Sequence, residues 1–126
     1  MPIYLKDNMA TLDQLDGSSG SLAISGSKPP REPKVVQKLR AAGAIILGKT
    51  NLSEWANMRS NNFTDGWSPR GGQTLGVYVP DQNPSGSSSG SAVATALGIS
   101  FAAIGTEVRR CHPTGWFGFL EFELGC

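Results

Sequence analysis

Four stretches carry residues whose types and spacing could do chemistry. The densest is Pro84-Ser85-Gly86-Ser87-Ser88-Ser89-Gly90-Ser91-Ala92-Val93-Ala94, where five serines and two glycines give way to small apolar residues. Glycine and serine permit tight backbone paths, serine caps helices, and Ala92 to Leu97 favours a helix. The run therefore reads as a loop turning into a helix, with the first amide N–H groups pointing back into the loop. Such a loop can cradle an anion or hold a catalytic hydroxyl. Flexible linkers have the same composition, but the apolar helix that follows at once argues against a linker.

The second stretch is Lys6, which closes the apolar run Pro2-Ile3-Tyr4-Leu5. It reads either as a surface lysine snorkelling to water, or as one held partly desolvated and neutral often enough to act as a base. The third is Gly43-Ala44-Ile45-Ile46-Leu47-Gly48-Lys49-Thr50, which satisfies the phosphate-loop pattern G-x-x-x-x-G-K-[ST]. A phosphate cradle needs its variable residues to curl as a loop after a strand has ended. Here they are Ala-Ile-Ile-Leu, which form a strand themselves, so Lys49 is read as structural. The fourth is Cys111, His112 and Cys126, three possible ligands without the paired spacing of a zinc site.

These residues must be positioned by a modest set of elements. Pro2 to Leu5 reads as a short buried strand. A helix starts near Pro33, with Val35, Val36 and Leu39 near one face, and Gly43 ends it. Ala44 to Leu47 is an apolar strand of the kind buried inside an α/β sheet. Asn51 to Glu54 reads as a capped helix start, with Trp55, Ala56 and Met58 on its buried side. After the serine loop and its helix, Ile99 to Ile104 is a further apolar strand. Asp16 to Pro30 and Ser60 to Pro80 are loops, the latter fixed by Trp67 packing inward. Strands alternating with helices give the class α/β.

Composition sets the bounds. A chain of 126 residues suits one modest domain, and 16 glycines with 8 prolines make it rich in loops. Eleven basic against 10 acidic residues leave a net charge of +1, so electrostatics point to no nucleic-acid or membrane partner. There is no apolar run of membrane-spanning length and no signal-peptide pattern at Met1 to Asp7, and both cysteines fall in the last sixteen residues. A soluble, cytoplasmic protein is the expectation.

Pro84 to Ala92 resembles the serine-glycine core of the amidase signature family, G-G-S-S-G-G-S-A, and more closely the fungal-type form P-S-G-S-S-S-G-S-A. Pro2-Ile3-Tyr4-Leu5-Lys6-Asp7-Asn8 resembles the family's I-P-x-x-x-K-D-N. Gly48-Lys49-Thr50-Asn51-Leu52 is a stretch common in the family, and Gly72-Gln73-Thr74 is similar to its F-G-Q-T segment. Gly105-Thr106-Glu107 matches the start of G-T-[DE]-x-G-G-S-[IV], which fungal-type members write G-T-E-T-D-G-S-I.

The resemblance implies an incomplete part of the amidase signature fold, a mixed β-sheet flanked by helices. It also implies hydrolysis of carboxylic amides, or transfer of ammonia from them, by a Ser–Ser–Lys triad. Lys6 would be the base, Ser87 the bridging serine on a cis peptide bond, and Gly86 and Ser88 would shape the loop. Met58 to Ser60 and Gly72 to Thr74 become candidate walls on the substrate side. The substrate would be a small-molecule amide, and no metal or organic cofactor is implied.

After Glu107 the resemblance ends, which divides the chain into a partial amidase signature domain at 1–107 and an unrelated tail at 108–126. Three of the five phenylalanines and both cysteines lie in the tail, for which the chain offers no evident partner element. Laid over this sequence, the family motif puts its nucleophilic serine at Cys111 and its oxyanion hole at the N–H groups of Val108 to Cys111. One explanation is a thiol nucleophile beside His112. The other is translation into an unspliced intron, since Val108-Arg109 can be encoded by GTACGT or GTGCGT, which resemble an intron start. On the second explanation the chain is inactive as it stands.

Overall fold

The computed structural model describes residues 1–107 and the backbone of strand 120–123. Strands β1 (Pro2–Lys6), β2 (Ile45–Thr50), β5 (Ala102–Glu107) and β6 (Leu120–Glu123) form a four-stranded sheet in the order β2-β1-β5-β6. All of its pairings are parallel. Among the described residues, antiparallel pairing is confined to a small separate ribbon of β3 (Trp67–Ser68) and β4 (Gly72–Gln73). Two α-helices, α1 (Lys34–Ala41) and α2 (Ser89–Ala96), complete the α/β unit.

Strand period decides which helix meets which side chain. Ile3 and Leu5 point to one face of β1, where they cluster with Val36 of α1, Met9 and Ile104. Ile3, Leu5 and Val36 are wholly buried, and each such side chain is worth about 1.5–3 kcal/mol. Tyr4 and Lys6 point to the opposite face, the side of α2 and the serine loop. Pro33 precedes α1 and Gly43 leaves it at φ +80°, a left-handed turn that suits glycine. The turn sends the chain back into β2, so the apparent phosphate-loop pattern is strand from Ile45 onward.

Three elements depart from the sequence reading. The strand read at Ile99 to Ile104 begins at Ala102 and runs to Glu107. Gly98 closes α2 at φ +66°, and Ile99 to Phe101 form the bend by which the chain reaches the sheet. Pairing with β1 starts only where Ala102 meets Ile3. Second, β2 is an edge strand, not one buried on both faces, and Ile45 and Leu47 are 60% and 47% exposed.

Third, the capped helix read from Asn51 is a four-residue 3-10 turn at Glu54–Asn57, with Trp55, Ala56 and Asn57 at positive φ. Asn51 cannot cap it because its side chain is used elsewhere. Its amide donates to the Gly66 and Gly72 carbonyls and to Thr74 Oγ1, and its Oδ1 accepts from Ser68 Oγ. Met58, expected inside, is 75% exposed, and Trp67 is also exposed. β6 supplies a correction too, since this part of the tail does have a partner, lying parallel beside β5.

Candidate active site

Lys6 is the last residue of β1, and its side chain is completely buried. The Lys6 Nζ donates to Ser87 Oγ at 2.7 Å and to the Thr106 carbonyl at 3.2 Å, joining three segments of chain. Of the two readings of Lys6, the snorkelling one is ruled out by this burial. Ser87 itself is only partly buried.

The loop is fixed by short polar contacts. The peptide bond between Gly86 and Ser87 is cis. A Cβ on Gly86 would lie 2.3 Å from Asp65 Oδ1 and 2.8 Å from Ser53 Oγ, so a side chain there would have to displace both of those side chains. Ser53 N–H donates to the Ser87 carbonyl at 3.1 Å, and Gly90 N–H to the Asn51 carbonyl at 3.0 Å. Ser88 Oγ accepts from Thr106 N–H at 3.3 Å, which ties the loop to the end of β5. Gly86 and Ser88 thus both make close contacts with residues outside the loop.

Several residues here received no role from the sequence. Asn8 Nδ2 donates to Thr106 Oγ1 at 2.9 Å and so steadies the residue whose carbonyl holds Lys6. The Asp7 carboxylate is buried and accepts from Ser18 N–H, from Ser18 Oγ at 2.5 Å and from Gly20 N–H at 3.1 Å. It fixes the turn at Ser18 to Gly20, whose Ser19 carbonyl accepts from Trp55 N–H. Both residues sit in the Lys-Asp-Asn run, but adjacency alone says nothing of where their side chains reach.

Lys49 is half-buried and donates to the Met9 carbonyl. Burial holds its ammonium below the usual lysine range, against the opposing pull of Asp7 and other carboxylates. It is not part of the Lys6–Ser87 contact. Of the candidate walls, Met58 to Ser60 and Gly72–Gln73 are exposed, and Thr74 Oγ1 is bonded to Asn51. A cavity of about 150 Å³ lies behind the serine loop against Val77, Tyr78, Pro84, Gly86 and Val93. Cys111, His112 and Cys126 lie outside the described residues, as do the N–H groups of 108 to 111. Among the described residues there is no cluster of three acidic, His or Cys groups fit for a metal. None of their helices is long and apolar enough to cross a membrane.

A parallel α/β sheet here presents a buried lysine to a serine in a glycine-serine loop. The Amidase family model matches residues 1–109, and the chain belongs to that family. It is 50% identical over 107 residues to a protein of Arthroderma benhamiae curated as "Putative amidase", covering 85% of this chain and 18% of the relative. It is 39% identical to one component of the glutamyl-tRNA(Gln) amidotransferase of Methanosarcina mazei, covering 98% of this chain and 25% of that one. Among solved structures, the native peptide amidase of Stenotrophomonas maltophilia matches with a TM-score of 0.77 and 50% identity, over 82% of this chain and 21% of the other. The chain thus spans about a fifth of the length of the curated amidases it matches.

Proposed function

We propose that this chain carries two of the three groups of an amide-hydrolysing Ser–Ser–Lys relay, and is inactive on amides by itself. Lys6 is the base and Ser87 the bridging serine. In its neutral form Lys6 takes the Ser87 hydroxyl proton, and the Ser87 oxygen takes a proton from the nucleophilic serine. That serine attacks the amide carbonyl carbon. Backbone N–H groups then hold the oxyanion, usually the largest electrostatic contribution to such a reaction. The same relay returns a proton to the departing amine, and water cleaves the acyl-enzyme. The relay as written runs between side chains and water and calls on no cofactor.

The observation that carries this reading is the 2.7 Å contact between a fully buried amine and a serine hydroxyl 81 residues away. The inactivity rests on the sequence after Glu107, where the family's T-D-G-S-I is replaced and Cys111 occupies the nucleophile's place. On this reading 1–107 is a partial amidase domain and 108–126 comes from intron read-through. The substrate is a small carboxylic amide. A solved relative is a peptide amidase, so peptide amides belong among those assayed.

A second reading, a non-catalytic protein of the same descent, is favoured by the same departure after Glu107. Genomic sequence beyond the Glu107 codon separates the two: a T-D-G-S-I frame resumed after a short intron supports the first, and its absence the second. For activity, the test is turnover of simple amides, anilides and peptide amides by the 126-residue chain, with no turnover expected. Turnover abolished by Cys111→Ala would overturn the reading in favour of the thiol.

A further inference from the structure

We propose that Lys6 and Ser87 also form a self-sufficient serine–lysine dyad, in which Ser87 Oγ itself accepts an acyl group from activated carboxylic esters, once per chain. This shares the Lys6 base with the relay above but does not need its missing nucleophile. Three observations carry it. Lys6 Nζ is wholly buried and within 2.7 Å of Ser87 Oγ. Its second bond, to the Thr106 carbonyl, fixes its direction. Ser87 keeps part of its surface open, whereas its neighbours Ser88 and Ser89 are buried and bonded to Thr106 and to the Ser85 carbonyl. It is therefore the serine of this run that combines a base at hydrogen-bond distance with access from outside.

The Lys6 amine removes the proton from Ser87 Oγ while that oxygen forms a bond to the ester carbonyl carbon. The tetrahedral centre collapses and expels the alkoxide or phenolate, leaving acyl-Ser87 and protonated Lys6. The geometry also limits the substrate. Lys6 is wholly buried and meets the partly open Ser87 at its Oγ, and once that oxygen is acylated it has no proton to pass on. An amine cannot leave unprotonated, so amides are excluded, whereas a phenolate departs unaided. For the same reason no relay through Ser87 can activate water, so the acyl group stays.

The experiment incubates the 126-residue chain with p-nitrophenyl acetate and locates the acetyl group by fragmentation mass spectrometry. One acetyl per chain is expected on Ser87, with a matching burst of nitrophenolate and no sustained turnover. Lys6→Met, and Lys6→Arg which keeps the charge but cannot take a proton, should slow Ser87 labelling roughly 100-fold or more. Circular dichroism checks that both variants remain folded. If neither does, urea-unfolded chain is the comparison and should lose Ser87 labelling. Acetyl found only on Cys111 or surface lysines, or Ser87 labelled equally fast in a folded Lys6 variant or in urea, overturns the proposal. Failure of a chain carrying the family continuation to hydrolyse amides, with Ser87 still acetylated, would sink the relay reading and leave the dyad standing.

Discussion

Thr50 and Ser91 meet hydroxyl to hydroxyl at 2.7 Å, joining the end of β2 to the first turn of α2. Both are buried. Ser91 Oγ also lies 3.2 Å from the Ile104 carbonyl, and Thr50 Oγ1 lies 3.3 Å from the Leu5 carbonyl. Each hydroxyl has one proton, so the chain of bonds runs either from Thr50 through Ser91 to β5, or from Ser91 through Thr50 to β1. Either way it holds α2, which begins two residues after Ser87, against the sheet that carries Lys6.

Removing either hydroxyl should therefore loosen the site from below. Thr50→Val keeps the shape and leaves Ser91 with the Ile104 carbonyl, so a cost of about 1 kcal/mol is expected. Ser91→Ala should cost a similar amount. Urea denaturation of the double variant should show a loss smaller than the sum, because the shared bond is counted once. Strict additivity would mean that the pair does not interact.

Gly90 sits at the closest approach of α2 to the chain leaving β2. A Cβ there would fall 2.6 Å from both the Asn51 nitrogen and its carbonyl oxygen, and these are backbone atoms that cannot swing away. Gly90→Ala should destabilise by about 1–3 kcal/mol through forced backbone displacement, despite alanine's better helix propensity. It should also break the Gly90 N–H to Asn51 bond, read as faster exchange of that amide proton. A neutral or stabilising substitution would show that α2 can move freely.

The sequence made the strands and helices legible where pattern alone decides them. Pro2 to Leu5, the α1 face around Val36 and the loop-to-helix switch at Ser88–Ser89 all follow from local residue types. Only the family motifs brought Lys6 to Ser87, because nothing local encodes a contact across 81 residues. What misled was competition between local and distant bonds. Asn51 followed by Glu54 has the form of a helix start, yet its amide is drawn to carbonyls 15 and 21 residues away. Ile45 and Leu47 have the composition of a central strand, but composition does not reveal which strand lies at the edge.

Asp16 offers a pH-dependent test of the long loop. Hydrogen bonds from Ser25 Oγ and Gly26 N–H, and then the Arg70 guanidinium, hold its carboxyl below the ordinary value of 3.8. A carboxyl depressed by folding contributes stability that is complete above the ordinary value and is lost as pH falls through the folded one. Asp16→Asn should cost about 1 kcal/mol at neutral pH, since these bonds are near the surface. The gap between the two proteins should close as pH drops below 3.8. A gap that stays constant in acid would mean that the carboxylate charge contributes nothing.

The last expectation concerns the faces the chain leaves open. Ile45 and Leu47 on the edge strand, and Leu97, Ile99 and Phe101 around the exit of α2, are all exposed, Phe101 at 73%. A parallel strand normally has both faces covered, and an uncovered apolar edge is a template for pairing with another chain. Stability of a complete domain is only about 5–15 kcal/mol, so a few large side chains left in water, at roughly 1.5–3 kcal/mol each, take a large share of it. The 126-residue chain is therefore expected to self-associate at micromolar concentration and to bind an apolar dye. Ile45→Lys with Leu47→Glu should reduce association without touching the Lys6–Ser87 contact, because both substitutions lie on the outer strand. Replacing 108–126 with the family's continuation should suppress association further, by supplying chain that can cover these faces. A dye-silent monomer of the unaltered chain in sedimentation, melting in one cooperative transition, would show that the unit is stable with those faces open and would end this argument.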